Sequence, residues 1–199
     1  MKEARYVIVL TGISLVCATL LGAVYQVTEE PIRQAKNKAV VEGIQKVLPE
    51  GTKADADNKV IVDESNPLSP VIYPAVRDGV VVGAAVKATS TAGYGGNLVV
   101  MVGIEGVPGS GLKVFNTSVL DMSKETPGLG TKVAEPAFAG QWNNRLVTEK
   151  ALAVKKDGGD VVAVSGATIT SRAFTDCVNQ AIDAWSKLGP AIVKGGSNG

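Results

Sequence analysis

The sequence predicts an α+β protein in which a single N-terminal transmembrane helix precedes one domain with a mainly antiparallel sheet flanked by helices. Three observations predict this class. Residues 6–28 contain no charged side chain, short β-type runs separated by Gly-rich turns begin at Val71, and the last long segment has apolar residues at three- and four-residue steps. A chain of 199 residues suits one globular domain and a small additional segment.

Residues 1–28 are predicted to form a short tip and a membrane anchor. At a rise of ~1.5 Å per residue, residues 6–28 can cross a hydrocarbon core of ~30 Å. A cleavable signal peptide is the alternative, but the apolar run exceeds the ~7–15 residues of its usual core, and no small-x-small site follows. A short N-terminal tail stays most simply in the cytoplasm, so we expect the domain on the extracytoplasmic side.

Residues 29–50 are predicted to form a stalk or a first domain helix, which begins near Pro31 and stops at Pro49-Glu50-Gly51. The domain itself is expected over residues 51–190. Residues 191–199 are expected to be a flexible tail, because this end of the chain is rich in Gly and Ser.

The β-type runs begin with a hairpin, since residues 71–76 and 80–88 flank Asp78-Gly79, a strong turn signal. Residues 60–62 are an edge strand or a loop. Further strands are predicted over residues 98–104, 112–116, 151–154 and 161–164.

A turn rich in hydroxyl groups, Ser165-Gly166-Ala167-Thr168-Ile169-Thr170-Ser171, joins the last β-type run to the final helix. We expect the helix to begin near residues 168–170, where Ser and Thr are preferred caps. A helix N-terminus offers unpaired N–H donors and a partial positive charge, so it can hold a phosphate without Lys or Arg. The alternative is that this turn is only a helix cap.

The amino-acid composition excludes several classes of functional site. The chain has no His, and its only cysteines are Cys17 and Cys177, so the chain alone cannot build a zinc knuckle, an iron–sulfur cluster or a Ser-His-Asp triad. Lys and Arg number 20 against 19 Asp and Glu, which gives no electrostatic case for nucleic acid. Any redox chemistry must therefore come from an organic cofactor or from partners.

Three further stretches are candidates for ligand contact. Glu125-Thr126-Pro127-Gly128-Leu129-Gly130 lies in the longest stretch without helix or strand periodicity, and its glycines let the backbone approach a flat ligand. Gly93-Tyr94-Gly95-Gly96 could form a wall with one aromatic edge, and Lys156 precedes a Gly-Gly turn. The alternatives are a structural loop, an ordinary turn with a surface tyrosine and an exposed turn lysine.

The run Ser165-Gly166-Ala167-Thr168 resembles the attachment motif of a covalent-FMN domain family. This family is shared by the G subunit of Rnf-type ferredoxin:NAD oxidoreductases and the C subunit of sodium-pumping NADH:quinone reductases. The resemblance implies FMN attached to Thr168 through a phosphoester. The Glu125–Gly130 loop resembles a second family signature that lines the flavin ring, and Gly93–Gly96 is a third match. The chain has Val162 where the family pattern commonly has Asp.

The resemblance implies a redox subunit of a membrane-bound electron-transport complex in a bacterial or archaeal cell membrane. Covalent FMN would relay electrons between partner cofactors, and the ion path would lie in other subunits. Its expected partners are the other membrane and peripheral subunits, a flavin transferase during maturation, and membrane lipid. The alternatives are a membrane-tethered, non-redox binding or assembly module, in which Ser165–Thr168 is a plain cap, and a free-standing flavoenzyme.

Overall fold

The structure, a computed structural model, describes residues 2–54, 57–148 and 150–195. Its residue contacts divide the chain into two compact units, residues 1–39 and residues 40–199.

Helix α1 spans Lys2–Val47, contains every described residue of the first unit, and ends with residues that belong to the second. Its stretch from Ala4 is long and apolar enough to cross a membrane, and the large apolar side chains between Tyr6 and Val27 are exposed. The predicted apolar helix is therefore present. Pro31 lies inside α1 instead of beginning a second helix, and because proline has no N–H, the Val27 carbonyl lacks its usual helical donor.

A six-stranded antiparallel sheet forms the centre of the second unit, and its strands are ordered as they occur in the chain. They are β1 (Val60–Ile61), β2 (Val71–Arg77), β3 (Val80–Ser90), β4 (Leu98–Glu105), β5 (Lys113–Asp121) and β6 (Arg145–Leu146). The turn between β2 and β3 has positive φ at Asp78 (52°) and Gly79 (79°), as the predicted hairpin requires. The predicted fold class is thus confirmed.

Helices cover both faces of the sheet within the second unit. On one face, Val86, Val100 and Val102 pack with Phe174 and Val178 of α3 (Thr168–Gly195). On the other face, Tyr73 and Met101 belong to a second apolar cluster with residues near the end of α1. Those residues are Ile44, Val47 and Leu48, which are all buried.

The prediction of strands over residues 151–154 and 161–164 is wrong. The structure joins these runs only through one isolated parallel bridge between Val154 and Val161. Instead of a neighbouring strand, side-chain amides form hydrogen bonds with backbone N–H and C=O groups of these runs. The Asn179 amide pairs with both backbone groups of Leu152, at 3.0 and 2.8 Å. The Gln141 amide pairs with both groups of Val162, at 2.8 and 3.0 Å.

Helix α3 begins at Thr168, inside the predicted window, and continues through Pro190 to Gly195. The start of the predicted tail is therefore helical, whereas residues 196–199 lie outside the described residues, where the flexible tail stays a prediction. A short helix α2, Pro136–Ala139, lies between two 3-10 turns, Gly130–Ala134 and Gly140–Trp142.

Candidate functional site at the start of helix α3

Two loops meet at one edge of the sheet. Because β3, β4 and β5 are consecutive and antiparallel, the loop between β3 and β4 leaves the same edge as the loop that follows β5. The first loop carries Gly93–Gly96 and the second carries Glu125–Gly130. A Cβ atom on Gly95 would lie 1.6 Å from the Lys124 carbonyl oxygen, so the two loops touch through their backbones.

The turn before α3 is fixed by its own hydrogen bonds. The Ala167 N–H donates to the Val164 carbonyl at 3.0 Å, and Gly166 has a φ of 79°. The buried Ser171 hydroxyl accepts from the Val164 N–H at 3.0 Å and donates to the Ala167 carbonyl at 2.9 Å. The N–H groups of the first helical turn, which begins at Thr168, have no acceptor within the helix.

A buried carboxylate links the β5 loop to this helix. The Thr170 hydroxyl donates to Glu125 Oε2 at 2.8 Å, and the two residues are only 1% and 4% exposed. Glu125 Oε1 is buried and has no hydrogen-bond partner among the described residues. Glycines make room for this side chain, because a Cβ on Gly130 would lie 2.4 Å from Oε2 and one on Gly93 would lie 2.7 Å from Oε1.

These elements enclose a cleft of about 540 Å³. It is lined by Tyr94, Glu125, Thr126, Leu129, Gly130, Lys156, Gly166, Ala167, Thr168, Ile169 and Thr170. The structure therefore brings together ten of the twelve site residues that the sequence predicts, from four separate parts of the chain.

Two predicted residues do not line the cleft. Ser165 is exposed in the turn before α3. Gly128, with a φ of 73°, donates its N–H to the Thr131 hydroxyl at 2.9 Å and so shapes the β5 loop. Sequence reasoning missed Ile169, which lies in the cleft wall; its only signal is that it is an apolar residue inside the hydroxyl-rich run.

The hydroxyl groups around the start of α3 differ in their surroundings. Those of Thr170 and Ser171 are buried and hydrogen-bonded, and Ser165 lies outside the cleft. Thr168 is half-buried and lines the cleft, and its hydroxyl makes no hydrogen bond within the part of the chain that the structure describes. Thr168 therefore presents the hydroxyl that is open to a ligand.

Lys156 reaches the cleft from the 3-10 turn Lys155–Asp157. Asp157, the next residue, accepts hydrogen bonds from Nε and Nη2 of Arg172, both at 2.7 Å. These hydrogen bonds hold the pKa of Asp157 below its usual value. The turn is thus tied to α3 one helical turn after Thr168.

The acidic side chains and the cysteines are the remaining candidate groups within residues 2–54, 57–148 and 150–195. No group of three or more Cys, Asp or Glu side chains there could hold a metal ion. Cys17 and Cys177 are both free thiols, and burial raises the pKa of Cys177 to about 12, which keeps it protonated.

Comparison with known proteins identifies a matching family model and similar proteins. Residues 93–183 match the family model described as "FMN-binding domain". The chain is 30% identical to the G subunit of the ion-translocating oxidoreductase complex of Methanosarcina acetivorans, over 92% of this chain and 94% of that protein. It is 32% identical to the G subunit of the Na(+)-translocating ferredoxin:NAD(+) oxidoreductase complex of Acetobacterium woodii, over 91% and 90% of the two chains.

Among solved structures, the crystal structure of Shewanella oneidensis NqrC resembles the chain with a TM-score of 0.47 and 18% identity. That likeness covers 73% of this chain and 71% of the other. Identity of 30% or more along nearly the whole length of both chains, together with the matched domain, establishes the relationship. The chain belongs to the family formed by the G subunits of ion-translocating oxidoreductase complexes, and it contains an FMN-binding domain.

Proposed function

We propose that this chain is the electron-carrying subunit of a membrane-bound ion-translocating oxidoreductase complex and that FMN is attached to Thr168 through a phosphoester. The names of its relatives support membership of such a complex, and the Acetobacterium woodii relative is named for ferredoxin and NAD(+). The matched FMN-binding domain supports the cofactor. Helix α1 supports attachment to the cell membrane. We expect the domain on the extracytoplasmic side, because a short N-terminal tail stays most simply in the cytoplasm.

One observation carries the choice of Thr168. It presents a hydroxyl that lines the cleft and makes no hydrogen bond among the described residues, and it is the first residue of α3. A phosphate group on this oxygen would lie beside the unpaired N–H groups and the positive end of the helix dipole. Thr170 is a poorer candidate, because its hydroxyl is buried against Glu125.

The rest of the cleft fits a flavin nucleotide. Flavin rings are planar and partly apolar, and the side chains of Tyr94, Leu129 and Ile169 offer exposed apolar surface at the cleft. The buried, unpaired Glu125 Oε1 is an acceptor for an N–H or a hydroxyl group of the ligand, since an orphaned buried oxygen is costly. Thr126, Gly130, Gly166 and Ala167 would contact the ligand largely through small groups and backbone.

FMN, its attachment to Thr168 and other proteins have separate parts in the proposed function. Bound FMN supplies the redox chemistry, because it accepts and donates one or two electrons. The phosphoester at Thr168 prevents the loss of the cofactor to the medium outside the cell. Ion movement would require other subunits, and attachment would require a flavin transferase during maturation.

In-gel fluorescence tests this proposal. The wild-type chain, purified from its native host and denatured, should give a band with flavin fluorescence, because a phosphoester survives unfolding. Thr168→Ala should give a dark band, whereas the matched control Thr168→Ser keeps a hydroxyl and should retain fluorescence. A dark wild-type band would instead favour a membrane-tethered, non-redox binding or assembly module with a plain helix cap at Ser165–Thr168.

A further inference from the structure

An ion pair beside the cleft has no part in the function proposed above. Arg172 and Asp157 form two hydrogen bonds of 2.7 Å, through Nε and Nη2 of the guanidinium group. Both side chains are partly exposed, at 46% and 39%. Single exposed pairs contribute little to stability, but a two-point contact of an arginine with a carboxylate restricts geometry strongly.

The pair lies where it can set the position of Lys156. Thr168 and Arg172 are four residues apart in α3, so they share one face of the helix. Asp157 is the chain neighbour of Lys156, and Lys156 lines the same cleft as Thr168. The ion pair between Arg172 and Asp157 therefore restrains Lys156 near the face of α3 that carries Thr168.

The Lys155–Asp157 turn is also held by backbone hydrogen bonds, since the Lys155 N–H donates to the Val161 carbonyl at 2.9 Å and the Gly159 N–H donates to the Val154 carbonyl at 3.2 Å. It is closed by the Asp157 N–H, which donates to the Val154 carbonyl at 2.8 Å, and by the Gly158 N–H, which donates to the Lys155 carbonyl at 3.2 Å. Lys155, Lys156, Asp157 and Gly158 are all exposed, and this turn lies between the buried Val154 and Val161. The ion pair is its polar side-chain link to α3.

We propose that Asp157 and Arg172 are positioning residues that hold the Lys156 ammonium group at the cleft, where it favours the reduced form of the bound cofactor. The inference rests on the proposed function. Reduction increases the electron density of a flavin, and a fixed cation nearby stabilises added negative charge more than a mobile one does. Arg172 pairs with Asp157, and Lys156 is the basic residue of this turn that lines the cleft.

Redox titration of the purified full chain with its flavin, using dithionite and mediator dyes, tests this inference. Lys156→Gln should lower the ratio of reduced to oxidised flavin at a fixed potential by about two- to fivefold, the range that exposed charges supply. Asp157→Asn combined with Arg172→Gln keeps the net charge, yet it should shift the ratio in the same direction. In the triple variant with Lys156→Gln, the loss of the pair should add nothing.

Lys187→Gln is the control, because this exposed lysine lies 19 residues after Thr168 in α3, about 28 Å along the helix. It should leave the ratio unchanged. A wild-type ratio in the charge-balanced pair variant, or effects of Lys156 and of the pair that simply add, would overturn the inference.

A second measurement keeps this test separate from the proposed function. In the flavin-free Thr168→Ala chain, hydrogen exchange at the Asp157 and Gly158 amides should speed up when the ion pair is removed, because those amides close the turn. Unchanged exchange would overturn the positioning role whether or not flavin is attached. Absence of flavin from the wild-type chain would instead contradict the proposed function.

Discussion

Hydroxyl side chains around the first turn of α3 have distinct surroundings, and these decide their expected roles. Ser171 fixes the turn through Val164 and Ala167, and Thr170 holds the buried Glu125 carboxylate. Thr168 lines the cleft, and no hydrogen bond among the described residues occupies its hydroxyl. One short sequence thus contains both the groups that build the site and the group that we propose is modified.

Thr170→Val should destabilise the flavin-free domain by roughly 1.5–3 kcal/mol, because it leaves the buried Glu125 carboxylate without its hydrogen-bond donor. Thr168→Val is the matched control and should change the free energy of unfolding by less than about 0.5 kcal/mol. Urea unfolding of both variants measures the difference. Equal effects of the two substitutions would contradict the structural role of Thr170.

At the scale of residues, the sequence predicted most of the cleft because short motifs carry its lining. It could not predict that the Thr170 hydroxyl meets Glu125, 45 positions earlier in the chain, or that Arg172 binds Asp157, 15 positions earlier. Each of these contacts depends on how loops fold over the sheet edge, and no local sequence pattern indicates how distant loops pack.

At the scale of elements, sequence periodicity located the hairpin and β4 but failed where side chains replace strand partners. Residues 151–154 and 161–164 are short apolar runs like those of buried strands, yet the side-chain amides of Asn179 and Gln141 pair with their backbone. β5 extends to Asp121, beyond the predicted end at residue 116, and β6 has only two residues, too few for a periodic signal.

The contact of β4 with the end of α1 gives an element-scale prediction. A Cβ atom on Gly103 would lie 1.7 Å from the Val47 carbonyl oxygen, so Gly103→Ala must push this end of α1 away from the sheet. We expect a loss of roughly 1–3 kcal/mol in the free energy of unfolding, as for other overpacked sites.

Gly140→Ala is the control for this substitution, since a Cβ there meets nothing within 4 Å and its φ is −63°. Denaturant unfolding should find it neutral or up to about 1 kcal/mol more stable. A Gly103→Ala domain as stable as wild type would contradict the close packing of α1 on β4.

In the whole molecule, the compact unit that contains the site begins at Val40, so it includes the end of residues 29–50, which the sequence suggests as a stalk or a first domain helix. Ile44, Val47 and Leu48 belong to this unit because they are buried against the sheet. Their helical spacing was visible in the sequence, but the surface that they cover was not.

Truncation tests this boundary. A chain that begins at Val40 should fold and remain soluble, because it keeps the buried residues Ile44, Val47 and Leu48. A chain that begins at Gly51 loses all three, at a cost of roughly 5–9 kcal/mol, which is comparable to the whole stability of an ordinary domain. Thermal melts by circular dichroism distinguish them, and equal melting temperatures would contradict the assignment of these residues to the core.

Mass spectrometry of the peptide that contains Thr168 decides whether a flavin nucleotide is bonded to this residue. In protein purified from its native host, we expect a mass increment of FMN minus water, located on Thr168 by fragmentation. An unmodified Thr168 in an electron-transporting complex, or the same increment on another residue, would rule out this attachment.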